Sequence, residues 1–199
     1  MTDHRTKQSF RAIVADPPWH TNTGPLSGQG MNFETRGTHR SRPVAYPTMT
    51  LDAIKAMPVS RFAADDCALY LWTTSGYLHS AFHVLEAWGF AYSTTLVWGK
   101  TPMGSGLGGC WGISTEFILY GRRGSPEERY KHKGTALGFG WKRVYGSDGK
   151  PIHSAKPPAF QDMVEAMHPG PYLELFARRQ RLGWETWGDQ ALEHVEMPA

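Results

Sequence analysis

The run Ala12-Ile13-Val14-Ala15 ends abruptly in Asp16-Pro17-Pro18-Trp19, and this junction constrains the fold more than any other part of the chain. An uninterrupted apolar run with β-branched members suits a strand buried on both faces. Pro17 has no N–H with which to extend a ladder, so the strand is expected to stop at Asp16. Ligands of open α/β sheets lie beyond the carboxyl ends of the strands, which puts Asp16 and Trp19 at the mouth of a cleft.

The residue types gathered there suit one kind of guest. A carboxylate accepts hydrogen bonds, proline fixes the chain while leaving its carbonyl available, and an indole offers a flat stacking surface. Together they fit a planar base with an exocyclic amine. The amine of adenine is a poor nucleophile because its lone pair is delocalised into the ring. Two acceptors, the Asp16 carboxylate and the Pro17 carbonyl, could hold its two N–H groups so that the nitrogen pyramidalises and presents its lone pair to an electrophile. Asp-Pro-Pro is also an ordinary turn, and a Trp after it is often core, so the motif alone leaves both readings open.

Downstream, strand and helix signals alternate. Thr50 is placed to cap a short helix with Leu51, Ile54 and Met57 on one face, stopped by Pro58. Ala68 to Thr73 reads as a second strand. Tyr77 to Trp88 reads as an amphipathic helix ending at Gly89, and Tyr92 to Trp98 as a third strand. Strand-helix-strand spacing of this kind predicts a parallel sheet. Glu116 to Gly121 is the next strand. Pro157 and Pro158 open a helix with Phe160, Met163, Val164 and Met167 in one stripe, followed by a strand from Tyr172 to Ala177 and a closing one from Gly183 to Gly188. The residues before Ile13 read as a polar tail and the last residues as a frayed helix or tail.

At 199 residues, 40% hydrophobic and 13% aromatic, the chain suffices for a single domain spanning 1–199 with a sizeable core. No signal peptide or membrane-length apolar run is visible, and the two cysteines, Cys67 and Cys110, have neither metal-ligand nor disulfide-framework spacing. A cytoplasmic protein with no metal and no membrane partner is expected; its nine histidines are scattered.

Two loops stand out. Residues 20–45 hold four glycines and, between His20 and Arg42, Arg36, Arg40 and Arg42 against Glu34, which suits a substrate-binding lid or a solvated insertion. Residues 122–150 contain the most basic stretch. Between Arg122 and Arg143 it carries Arg122, Arg123, Arg129, Lys131, Lys133, Lys142 and Arg143 against Glu127 and Glu128, or 7 − 2 = +5, with Tyr130, Phe139 and Trp141 interleaved. Basic and aromatic residues together suit phosphate contacts and base stacking, although a solvated loop with a few anchors has the same composition. The overall charge of +3 adds little. Thr101 to Gly112, with five glycines, lacks a phosphate-binding fingerprint and reads as a flexible loop near the substrate.

Asp16-Pro17-Pro18-Trp19, followed in order by Tyr46-Pro47-Thr48-Met49, Leu69-Tyr70-Leu71-Trp72-Thr73, Val97-Trp98-Gly99-Lys100, Glu116 to Gly121, Ser154-Ala155-Lys156-Pro157 and Leu173-Glu174-Leu175-Phe176, resembles the adenine-N6 methyltransferase family of the catalytic subunit of eukaryotic mRNA adenosine methyltransferase and its bacterial and phage relatives. The likeness runs from about Ile13 to Gln190. It implies a Rossmann-like α/β sheet with helices on both faces and circularly permuted motif order, S-adenosylmethionine as methyl donor, and nucleic acid as partner. By the same resemblance Asp16, Pro17, Pro18 and Trp19 are catalytic, with Trp19 stacking on the base or walling its pocket. Asp16, Ser154, Lys156, Glu174, Phe176, Arg178, Asp189 and Gln190 serve the donor, and Tyr46 and Lys100 join Arg122, Lys131, Lys133, Lys142 and Arg143 at the substrate.

Lys156 stands near a helix start, where its ammonium and the helix N–H groups favour a carboxylate such as the donor's methionine tail. Glu174 could bind ribose hydroxyls or pair with Arg178, Arg179 or Arg181. Two departures from the family pattern are visible: the acidic residue usual upstream of the first strand has no counterpart beyond the distant Asp3, and Arg178-Arg179-Gln180 follows Phe176 where the wider amino-methyltransferases have Gly-x-Gly. DNA is favoured over RNA because no RNA-binding appendage is recognisable. A homodimer is compatible with the sequence and not required by it. The competing readings are an RNA adenine methyltransferase, a non-catalytic nucleic-acid-binding partner subunit, a cytosine-N4 enzyme, for which Ser-Pro-Pro is the commoner start, and a metabolite-binding module.

Overall fold

A computed structural model of the chain describes residues 9–19, 47–100, 111–131, 134–140, 142, 145, 149 and 155–188. The expectations for the polar N-terminus before residue 9, the lid at 20–45, most of the loop after Lys100 and the end of the chain lie outside these residues.

The first strand, β1 (Phe10–Ala15), carries Ala12, Ile13, Val14 and Ala15 with almost no exposed surface, as a run apolar on both faces requires. It begins three residues earlier than the sequence suggested. Phe10 is buried in the core, so the polar tail stops short of it. Then come α1 (Leu51–Lys55), β2 (Ala63–Thr73), α2 (Leu78–Ala87), β3 (Ala91–Gly99), β4 (Thr115–Arg123), β5 (Ala136–Leu137), α3 (Pro158–Met167), β6 (Tyr172–Leu175) and β7 (Trp184–Trp187). The Thr50 hydroxyl accepts from the Ala53 N–H at 3.2 Å, and Gly89 closes α2 at φ +82°. There the N–H of Gly89 reaches Glu86 and that of Phe90 reaches Leu85, a closure that needs the left-handed backbone glycine adopts without strain.

The strands form one sheet in the order β5-β3-β4-β2-β1-β6-β7. β1 pairs in parallel with β2 and β6, β6 with β7, and β3 with β5, while β4 runs antiparallel to both β2 and β3. The sheet is therefore mixed, and the expectation of a parallel one is corrected. β2 and β3 point the same way, but α2 carries the chain over an extra strand position into which β4 inserts head-down. Inversion brings the start of β4 to the edge where β1 and β3 end.

Alternation sorts the core. Ile13, Ala15, Leu69, Leu71, Leu119, Leu173 and Leu175 pack beneath α1 and α2 with Ile54, Val84, Leu85 and Trp88. Ala12, Val14, Tyr70, Trp72, Ile118 and Tyr120 face α3, meeting Phe160, Met163 and Val164. Helices thus cover both faces, and no helix among the described residues is long and apolar enough to cross a membrane.

The last parallel strand ends early. Phe176, expected inside it, has φ +63°, a left-handed conformation costly for a residue with a Cβ. The turn is clamped where the Ala177 N–H donates to the Trp187 carbonyl at 2.9 Å, and Gly188 lies so close that an added Cβ would stand 2.5 Å from the Ala177 backbone. Gly188→Ala should cost about 1–3 kcal/mol of stability, since backbone rather than a mobile side chain must yield. Urea denaturation of the two proteins measures it, and equal midpoints would mean that this approach relaxes without cost.

Candidate active site

Asp16 is the first residue past β1, and its neighbours hold it there. Its own N–H approaches the Leu175 carbonyl at 3.4 Å, the Trp19 N–H returns to the Pro17 carbonyl at 2.8 Å, and the Met49 N–H meets the Pro18 carbonyl at 3.0 Å. The Trp19-to-Pro17 bond closes a three-residue turn centred on Pro18. It uses one acceptor direction of the Pro17 carbonyl and leaves the second available.

Trp19 points away from this cleft. It is 5% exposed, its indole N–H donates to the Trp72 carbonyl at 3.0 Å, and its ring stacks on Tyr77 at 5.3 Å in the core beneath α1 and α2. An indole so enclosed offers no open face to a base; of the readings left open by the sequence, stacking on the base, walling its pocket or core, this placement suits the last two better than the first.

Four charges on four segments link Asp16 to the rest of the site. Lys156, just before α3, places its ammonium 2.9 Å from Asp16 Oδ2 and 3.1 Å from Glu116 Oε2, and Lys100, just past β3, pairs with the other Glu116 oxygen. Burial alone would push the Glu116 carboxyl up, but the Lys156 and Lys100 ammoniums more than reverse this and hold it below the usual glutamate range. Burial likewise disfavours the Lys156 ammonium, and Asp16 and Glu116 raise it above the ordinary lysine value. The ring of Trp72 lies 5.2 Å from the same ammonium, and its indole N–H is buried with no hydrogen-bond partner among the described residues.

Below this ladder the cleft continues between β1, β6 and α3. It is lined by the apolar Val14, Trp72, Phe160 and Phe176, and by Asp16, Lys156, Gln161, Glu174, Arg178 and Arg179. The free space is about 30 Å³, so its long side chains must part to admit anything nucleoside-sized. Glu174 stands on β6 opposite Val14. Gln161, itself buried, donates to one Glu174 oxygen and accepts from Arg179 at 3.0 Å. Burial pushes the Glu174 carboxyl up to about 7, with Asp16 adding to the rise and Arg179, the Gln161 bond and Arg181 opposing it. Arg181 is committed elsewhere, to Glu165 at 2.7 Å and Asp162 at 2.6 Å.

Of the residues read from the sequence, Asp16, Lys156, Glu174, Phe176 and Arg178 meet in one cleft, and Lys100 joins it through Glu116. Pro17 is buried and Pro18 half-buried. Arg122 sits within β4 rather than on a loop, and Lys131 and Lys142 are exposed outside the cleft. Phe139 packs against the core and its carbonyl accepts the Trp98 indole N–H at 2.7 Å, so it anchors the loop instead of displaying a stacking face. Tyr46, Lys133, Arg143, Ser154, Asp189 and Gln190 lie outside the described residues.

Sequence reasoning missed Glu116, Trp72 and Gln161 as site residues, and it named Arg179 as a direct partner of Glu174 whereas Arg179 reaches it through Gln161. Glu116 carried a signal: it is an acid at the head of an apolar strand run. Gln161 had none, since one polar residue in a helical stripe is unremarked.

Comparison with known proteins matches the MT-A70 family profile to residues 10–190. The Type II methyltransferase M.MunI of Mycoplasma sp is 29% identical over 96% of this chain and 82% of its own length. The mouse N(6)-adenine-specific methyltransferase METTL4 is 28% identical over 96% of the chain but 39% of that protein, and the human N(6)-adenosine-methyltransferase catalytic subunit METTL3 is 26% identical over 91% and 28%. The chain spans less than half the length of these two eukaryotic relatives. With that match over the whole sheet and the Asp16 cleft, the chain belongs to the MT-A70 family.

Proposed function

We propose that this protein is an S-adenosylmethionine-dependent methyltransferase acting on N6 of adenine in nucleic acid. The observation that carries the reading is the Asp16 carboxylate, held at the end of β1 by Lys156 at 2.9 Å beside a second acceptor, the Pro17 carbonyl. Two acceptors at this spacing along the chain suit the two N–H groups of an exocyclic amine. The relatives named for adenine-N6 or adenosine-N6 methylation support the reaction, and DNA is favoured as substrate because METTL4 is named for adenine rather than adenosine.

The residues present fit such a donor. Glu174 suits ribose hydroxyls, Arg178 and Arg179 supply cationic donors at the rim, Phe176 gives an apolar wall, and the Trp72 indole N–H is a buried donor awaiting an acceptor. S-adenosylmethionine supplies an electrophilic methyl group on a sulfonium. Asp16 and the Pro17 carbonyl hold the amine so that its lone pair projects out of the ring plane. Lys156 holds Asp16 aimed at the amine, and Asp16, directly or through water, takes the proton released. N6 of a paired adenine is engaged with its partner base, so the chain must receive an unpaired or flipped nucleotide, at a cost of a few kcal/mol in a duplex. Transfer of labelled methyl from the donor to DNA and RNA oligonucleotides, with adenine and cytosine acceptors in parallel, tests the reaction and the polymer together.

Asp16→Asn keeps the shape and loses the charge. Turnover should fall by roughly 10²-fold or more while donor affinity, read by titration calorimetry, changes little, because the interaction strengthens in the transition state. Near-normal turnover would overturn the mechanism.

Lys156→Met separates two roles. If Lys156 orients Asp16, turnover falls roughly tenfold or more at nearly constant donor affinity. If it meets the donor carboxylate, the Michaelis constant for the donor and the dissociation constant of the demethylated product rise together.

With Glu174 poised near 7 and its ionised form the better acceptor for hydroxyls, donor binding should tighten as pH rises from about 6 to 8 and then level. The direction follows from protonation being the competing event. Glu174→Gln should bind the donor more weakly, with that pH dependence gone; a parallel pH profile in the variant would remove Glu174 from the donor site.

A further inference from the structure

Among the described residues there is a cavity larger than the Asp16 cleft. A space of about 270 Å³ lies on the same face of the sheet, between β3, β4, the far end of α3 and residues 128–131 and 134–135. Its floor is Tyr70 and Tyr120, its sides the thioethers of Met163 and Met167, and its rim Tyr130, 41% exposed, and Lys131. The nucleotide-methylating chemistry proposed above uses none of these side chains.

Its walls are fixed in advance. The Tyr70 hydroxyl lies 2.8 Å from His168 Nε2, and His168 Nδ1 lies 2.7 Å from the Glu127 carbonyl. Tyr120 donates to Glu128 Oε1 at 2.7 Å, which orients that carboxylate while using one of its two oxygens. Tyr70 at 1% and Tyr120 at 8% exposure make an enclosed floor, so the exposed ring of Tyr130 is the one against which a planar group can lie, with one anionic acceptor and the hydroxyls of Thr94 and Thr135 around it.

The place matters as much as the lining. Tyr70 and Trp72, two residues apart on β2, line the cavity and the cleft respectively, about 7 Å apart at strand rise. Phe160 separates them, its ring 5.6 Å from Tyr70 and 4.8 Å from Trp72. Along α3 the step from Phe160 to Met167 is about 10 Å. Two to three stacked nucleotides span such distances at about 3.4 Å each. The rim also carries the exposed ammonium of Lys131, which is attractive to a phosphate.

We propose that this cavity takes a second nucleobase of the substrate strand, a few nucleotides from the methylated adenine, and selects one bearing an exocyclic amine. The base lies against Tyr130 and its amine donates to Glu128. Thymine and uracil fit poorly, because their one ring N–H is flanked by two carbonyl oxygens that a carboxylate repels. This reading rests on nucleic acid being the substrate.

The test is oligonucleotide binding by fluorescence anisotropy, using single strands with one adenine and an abasic site placed at each of the three positions on either side. At one position the abasic site should weaken wild-type binding roughly tenfold. Tyr130→Ala should bind the intact strand that much more weakly and lose nothing further at that position. Thymine there should weaken wild type by a similar factor, and Glu128→Gln should reduce the discrimination. Donor affinity in each variant checks that the Asp16 cleft is intact. Abasic sites that cost Tyr130→Ala as much as wild type at every position, or a thymine penalty unchanged in Glu128→Gln, overturn the proposal. Absent methyl transfer with this coupling present would count against the methyltransferase reading and not against the cavity.

Discussion

Lys156 sits between two carboxylates, and the geometry of the site follows from that contact. A buried ammonium flanked by Asp16 at 2.9 Å and Glu116 at 3.1 Å repays its own desolvation only while both partners stay in place. Lys100 closes the set on the far side of Glu116, so two cations and two anions balance. Removing one member of such a buried set typically costs about 3–5 kcal/mol because the others are left uncompensated. The ladder therefore fixes the end of β1, the start of β4 and the entry to α3 relative to one another, and it does so at the point where a ligand would bind.

That arrangement depends on the inverted strand. Asp16 follows β1 and Lys100 follows β3, both at carboxyl ends, whereas Glu116 is the second residue of β4. Only an antiparallel β4 brings its beginning to the same edge of the sheet. A parallel strand there would put Glu116 at the opposite edge and leave Lys100 and Lys156 facing each other without an anion between them.

What the sequence revealed was local. The β1 junction, the Thr50 cap, the Gly89 closure and the Phe160-Met163-Val164-Met167 stripe are each set by neighbours within one or two turns, and all stand as expected. Strand direction is different. Phe117-Ile118-Leu119-Tyr120 reads equally well either way, since an apolar run buried on both faces carries no polarity, and the inversion of β4 stayed hidden. β5 has two residues, too short for any periodicity. Asp16 was legible because proline ends its strand; Trp19 stayed open between stacking, wall and core because nothing local says which face of the sheet an indole beyond a strand end will join. The arginines after β6 show the same limit: Arg181 finds Glu165 and Asp162 on α3 across a distance in sequence that no local pattern encodes.

The least legible part is the polar layer under the cleft, and there burial rather than position carries the chemistry. A glutamine with almost no exposed surface is tolerated only if its amide is satisfied at both ends, and Gln161 is, by Glu174 and Arg179. Because its NH₂ donates to Glu174, the glutamate is kept as an acceptor on that oxygen whatever its charge. Because Arg179 meets the other end of the amide rather than the carboxylate, its charge acts on Glu174 only across the intervening glutamine. The result is a carboxyl that burial lifts to about 7 instead of one locked in an ion pair. Asp16 and Glu174, on adjacent strands of one cleft, are thereby given different environments. Asp16 is held directly by an ammonium, whereas Glu174 is poised for whatever donor enters beside it.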